Sequence, residues 1–143
     1  MSRINKKRFG LATFAAFVFI FIYEMMFHGV LLRGLYESTA PVWRTEQEMQ
    51  NYMGWAVATQ IFMAGMFTWL YLTYGKVKDM AGGCGFGAVM GLFLGGVQFG
   101  YYPYMPIPMT LAAAWLIGSV IEGIGLGALL TLMYKPWRIL ADD

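Results

Sequence analysis

The chain has 143 residues, of which 59% are hydrophobic, 17% aromatic and only 13% charged, with a formal net charge of +2. Typical globular domains carry roughly 25% charged residues, so this composition excludes an ordinary soluble domain. The single cysteine, Cys84, excludes an intramolecular disulfide and any CxxC redox or metal motif, and reads most simply as a small apolar residue on a packed helix.

Four apolar stretches are each long enough for the roughly 20 residues that cross a bilayer core. The expected fold is therefore all-α, a polytopic four-transmembrane-helix bundle forming one integral membrane domain, with spans over about 9–32, 52–74, 82–101 and 109–134. The first span follows Arg3, Lys6, Lys7 and Arg8. It is too long for the apolar region of a signal peptide and no small-residue cleavage site follows it, so an uncleaved helix stopped by Arg33 is expected. Residues 34–44, with Pro41 and the interfacial aromatics Tyr36 and Trp43, read as a loop.

Thr45-Glu46-Gln47-Glu48 reads as a capping box, with Thr45 as N-cap and Glu48 at N3. The second helix is thus expected to start in water at Glu46, enter the membrane near Tyr52 and leave at Tyr74, ahead of Lys76, Lys78 and Asp79. In the third span Gly83, Gly87, Gly91 and Gly95 recur at spacing four, which aligns them on one helix face. Such a face is a groove into which a neighbouring helix can press its backbone, a glycine zipper. An uncharged aromatic and proline hairpin over 101–108 follows, and the fourth span carries its own small-residue row at Ser119, Gly123 and Gly127. The third and fourth spans are expected to cross closely through these rows; the alternative is that one row meets another chain or a second copy. Lys135, Pro136 and Arg138 close the last helix ahead of a short solvated tail over 141–143.

Orientation follows from the basic residues. With both termini inside (N-in/C-in), Arg3, Lys6, Lys7, Arg8, Lys76, Lys78, Lys135 and Arg138 lie on the cytoplasmic side, and only Arg33 and Arg44 lie outside. These charges sit at membrane edges, where orienting the chain and touching anionic lipid explains them; no nucleic-acid partner is expected.

Polar residues inside a membrane are costly and suggest function by default. Here they are Glu24 and His28 in the first span, Gln60 in the second, Gln98 in the third and Glu122 in the fourth. At about 1.5 Å of rise per residue, Glu122 falls near the midplane and the other four in the outer half. Glu122 has Gly118, Ser119 and Gly125 as helical neighbours. It is expected on a small-residue face, bonding a partner such as Gln98 or keeping its proton as low dielectric favours, either as a relay or as a structural bridge. Glu24 and His28, at i and i+4, are expected to pair with each other. They are weak metal candidates, since Met sulfur suits Cu(I) and twelve methionines are present. However, one His and one distant Cys fall short of a closed zinc site, and Met63, Met66, Met90 and Met133 read as packing residues. No metal is expected, and copper, or a haem on His28, is the minor alternative. No catalytic motif is present, so no catalytic residues are assigned and the chain leans away from an enzyme, with a membrane enzyme or redox subunit built on Glu24 and His28 as a third reading.

The polar-interrupted first helix leading to a tryptophan-bearing loop, from Glu24 to Trp43, and the small-residue final helix with its basic edge, from Gly118 to Lys135, give a plan that resembles small four-helix inner-membrane proteins of bacteria. The resemblance is architectural and implies a bacterial cytoplasmic membrane location without implying site residues. The leading expectation is a non-enzymatic accessory or assembly subunit that docks, through small-residue faces and aromatic surfaces, onto other membrane subunits or onto itself. The alternative is a small oligomeric transporter or channel whose path is lined by Glu24, His28, Gln60, Gln98 and Glu122.

Overall fold

The computed structural model describes residues 5–134; Arg3, Lys135, Trp137, Arg138 and the 141–143 tail lie outside them. The described residues are all-helical. Helix α1 spans Lys6–Met26 and runs on through a π-helical turn, Phe27–Leu31; α2 spans Arg33–Ser38 and α3 Glu46–Asn51. Then come α4, Met53–Tyr74, α5, Met80–Phe99, and α6, Met109–Tyr134. Four of the helical segments, Lys6–Leu31, Met53–Tyr74, Met80–Tyr104 and Met109–Tyr134, are long and apolar enough to cross a membrane.

Local chemistry explains the helix starts. The Asn5 side chain accepts from the backbone N–H groups of Lys7 and Arg8 at 3.1 and 3.2 Å, and Asp79 Oδ1 accepts from that of Gly82 at 2.8 Å, each satisfying donors that a helix start leaves open. The chain turns between α4 and α5 through Lys76, held at a left-handed φ of 46°. The capping box is formed: Thr45 Oγ1 accepts from Glu48 N, and Glu48 Oε2 accepts from Thr45 N at 2.9 Å. The Thr45 backbone and hydroxyl donors hold the Glu48 carboxyl below its ordinary range. That stabilisation of α3 is present above the carboxylate's unfolded value and is lost as pH falls through the lower folded one. Amide exchange over 46–51, corrected for intrinsic rates, should therefore lose protection on acidification in the wild type and already lack it at neutral pH in Glu48→Ala; equal protection in both would remove the box as the cause.

Three readings of the sequence need correction. Residues 34–44 are not a loop: α2 and a 3₁₀ turn, Ala40–Val42, occupy most of that stretch. Arg33 does not stop the first helix either. The turn comes at Leu32 (φ −94°, ψ 4°), and Arg33 opens α2, where it pairs with Glu37 at 2.7 Å. The second helix is also broken at Tyr52 (φ −105°, ψ 3°), which separates α3 from α4 and carries Arg44 over its ring at 4.1 Å.

α5 and α6 make the most extensive pairing in the molecule and run antiparallel with backbones in contact. Gly83 faces Gly127, Gly87 faces Gly123, Gly91 faces Ser119 and Gly95 faces Leu116. A Cβ added at Gly87 would fall on the carbonyl oxygen of Gly123, and one at Gly123 on that of Gly87; one at Gly127 would fall on the Gly83 carbonyl oxygen, and one at Gly83 on Thr131 Oγ1. Where a side chain would sit, each glycine instead directs a Cα–H at a facing carbonyl, a contact worth about 0.5–1 kcal/mol. Beside Gly83, Thr131 Oγ1 donates to Gly127 O at 2.7 Å and so accepts from Tyr71 OH at 2.8 Å, which brings α4 onto the same end.

α1 packs against α4 and α6. Its aromatic ladder Phe19–Tyr23–Phe27 stacks at 6.2 and 5.5 Å, and the Phe19 and Phe27 rings fill the spaces beside Gly125 and Gly118 of α6. Tyr23 OH donates to Gly118 O at 2.8 Å. Thus α6 carries two separate glycine rows, one pressed on the α5 backbone and one receiving rings from α1. The core is correspondingly built of small residues and a few large ones, with Ala12, Ala16, Ala64, Leu111 and Leu130 almost fully buried.

Candidate functional site

Between α1, α4, α5 and α6 lies a cavity of about 300 Å³. Glu24 of α1, Gln60 of α4, Gln98 of α5 and Ser119 and Glu122 of α6 line it, among Ile20, Met63, Phe67, Leu94 and Leu126. Gly91 and Gly123 form part of its wall. One helix face thus serves two purposes: glycines bring α5 and α6 together, and the polar residues one turn away flank the gap between that pair and α1 and α4.

Within the cavity the polar groups are unequally satisfied. Ser119 Oγ donates to Gln98 Oε1 at 3.3 Å. Gln98 is therefore joined to Ser119 and not to Glu122, the partner suggested by the sequence; in this antiparallel register Ser119 faces Gly91, and Glu122 lies a further turn away from Gln98. Gln60 Oε1 and Glu122 Oε1 are both buried and have no hydrogen-bonding partner among the described residues. A buried acceptor left unpaired costs about 1–3 kcal/mol. Two such oxygens, from different helices, in one cavity mark a place where donors are missing.

Glu24 belongs to the cavity and also to a hydrogen-bonded chain that leaves it. Its Oε2 lies 3.2 Å from His28 Nε2, and His28 Nδ1 lies 2.5 Å from Tyr36 OH. Trp115 Nε1 donates to the same hydroxyl at 2.7 Å. An indole N–H can only donate, so the Tyr36 oxygen accepts from Trp115; with the Tyr36 proton given to His28 Nδ1, the hydroxyl donor is also paired and the imidazole carries its own proton on Nε2, toward Glu24. Burial pushes the Tyr36 phenol up to about 12, so the hydroxyl keeps that proton at neutral pH. Both ring nitrogens of His28 are engaged, and a metal would have to displace one of these partners. Among the described residues no third His, Cys, Asp or Glu gathers with Glu24 and His28.

His28 does not itself line the cavity; it is connected to it through Glu24. Tyr36 and Trp43, read from sequence as membrane-interface residues, are half-buried against other aromatic residues of the chain. Trp43 meets Tyr36 at 5.3 Å and Trp115 at 6.1 Å, and its Nε1 donates to Thr39 Oγ1 at 2.8 Å. Together with Leu32, Ile107, Leu111 and Ala112 they close one end of the molecule. Ile107 brings the 101–108 hairpin into this cap, while Tyr104 is left 85% exposed. Trp115 and Tyr36 were missed as site residues because neither is polar in the sense that draws attention inside an apolar run, and their contact spans 79 positions. Comparison with protein families, curated proteins and solved structures yields no match to this chain.

Proposed function

We propose that the protein is a small carrier of cationic solutes in a bacterial cytoplasmic membrane, inserted with both termini inside and acting as an oligomer. The observation that carries this reading is the cavity, to which each of the four long helices contributes a polar side chain and in which the oxygens of Gln60 and Glu122 lack donors. Among the described residues its lining holds no Lys or Arg, which supports a cationic occupant. The basic residues support the orientation, with eight at the cytoplasmic edge against Arg33 and Arg44 outside. Four helices are few to surround a complete path, which is why a second copy belongs to the proposal.

The test is flux in liposomes. Glu122→Gln keeps the shape of the side chain and removes its charge, and should abolish proton- or cation-linked uptake while the protein still inserts and folds; undiminished flux would remove Glu122 and this reading with it. Docking onto a larger membrane complex is the second reading. It is favoured by the uncharged hairpin with its exposed Tyr104, whereas the glycine rows that first suggested docking are occupied within the chain. Native mass spectrometry from mild detergent separates the two: a heteromer of fixed stoichiometry supports docking, a homo-oligomer the carrier.

A further inference from the structure

The cavity also carries information about the kind of cation. We propose that it takes a small organic ammonium ion, one with N–H donors and a short hydrocarbon tail, and not a bare metal ion. This rests on the carrier reading only in that both place the occupant in the cavity lined by Gln60 and Glu122; binding can be measured whether or not the protein transports.

Three observations point to an ammonium. First, the two unpartnered groups, Gln60 Oε1 and Glu122 Oε1, are buried acceptors of residues on different helices that line one cavity. A primary or secondary ammonium presents two or three N–H donors from one atom and can satisfy both at once, whereas a quaternary ammonium presents none. Second, the lining contains no Lys or Arg among the described residues, so no fixed positive charge opposes a cation there, and a cation that displaces the Glu122 proton supplies the paired charge a buried carboxylate requires. Third, the remaining wall is hydrocarbon, with Ile20, Phe67, Leu94 and Leu126. A hard metal cation takes about six oxygens on all sides and makes no use of an apolar wall, whereas an alkyl tail lies against it. The volume, about 300 Å³, lies at the small end of the roughly 300–1,000 Å³ range of ligand pockets, which sets the size class.

The measurement is calorimetric titration of the full-length protein in lipid nanodiscs, corrected with empty nanodiscs, using n-hexylammonium, hexyltrimethylammonium and 1-hexanol in turn. The ammonium should bind at least about tenfold more tightly than either analogue, as expected for hydrogen bonds to a charged group. Glu122→Gln and, independently, Gln60→Leu should each weaken it by about tenfold, with hexanol binding unchanged. Equal affinity for all three probes, or ammonium binding untouched by both substitutions, would overturn the proposal. Glu122-dependent uptake of sodium or potassium in liposomes, with no ammonium binding, would also overturn it while leaving the carrier reading in place. Ammonium binding without any flux would uphold the site and remove the carrier.

Discussion

Replacing Gly87 by leucine is expected to separate α5 from α6 and cost at least about 3 kcal/mol of stability. Overpacking typically costs about 1–3 kcal/mol where side chains can move aside. At Gly87 the obstacle is the backbone of Gly123 and Ile124, which can yield only if the two helices move apart. That movement would also open the Gly83–Gly127 and Gly91–Ser119 contacts in the same register, so the loss is shared along the whole pair. Gly85 supplies the control, because a Cβ there meets nothing within 4 Å. Gly85→Leu should stay within about 0.5 kcal/mol of the wild type, as surface changes do. Unfolding in mixed detergent micelles, followed by near-ultraviolet circular dichroism, reads both; equal stability of the two variants would show that the α5–α6 backbone contact is not what holds the pair.

The second large effect is expected at Tyr36. Removing its hydroxyl in Tyr36→Phe leaves Trp115 Nε1 without an acceptor and His28 Nδ1 without a donor. Unpaired buried groups cost about 1–3 kcal/mol each, and since these sites are half-buried a total of about 2 kcal/mol is expected. A change in packing alone would not alter the imidazole. Nitrogen NMR should show His28 protonated on Nε2 in the wild type, and a rise of the Nδ1-protonated tautomer once the Tyr36 donor is gone. An unchanged tautomer with lost stability would mean that the ring fills space but does not orient His28.

The four long helices are legible in the sequence because a lipid solvent leaves the chain little choice: each span must be apolar over its whole length and hydrogen-bonded within itself. The Thr45–Glu48 box is equally legible, since all of its atoms lie within three residues. The glycine rows show which face of α5 and α6 is smooth, but spacing alone does not say what presses on it, nor that Gly118 and Gly125 would receive the rings of Phe27 and Phe19. α2 escapes sequence reading because six residues make a poor helix alone; it is held by Tyr36 reaching Trp115 and His28. The polar residues of the cavity are individually conspicuous, yet their convergence depends on the rotation of each helix about its axis, which only packing decides. Pairing Glu122 with Gln98 overlooked Ser119, which the antiparallel register brings to Gln98 first.

The π turn over Phe27–Leu31 has an evolutionary meaning. A wider turn accommodates one residue more than a regular α-helix would at the same place, and each residue rotates the chain by about 100°. That extra residue and the break at Leu32 together set the direction of α2, in which Tyr36 reaches His28 eight positions back. A lineage that lost one residue anywhere in this turn would keep a perfectly good membrane helix while pointing α2 elsewhere, uncoupling Glu24 from the aromatic cap. In such descendants Trp115 and His28 would be free to drift to apolar residues together, so gap placement at this turn should covary with the identity of those two positions.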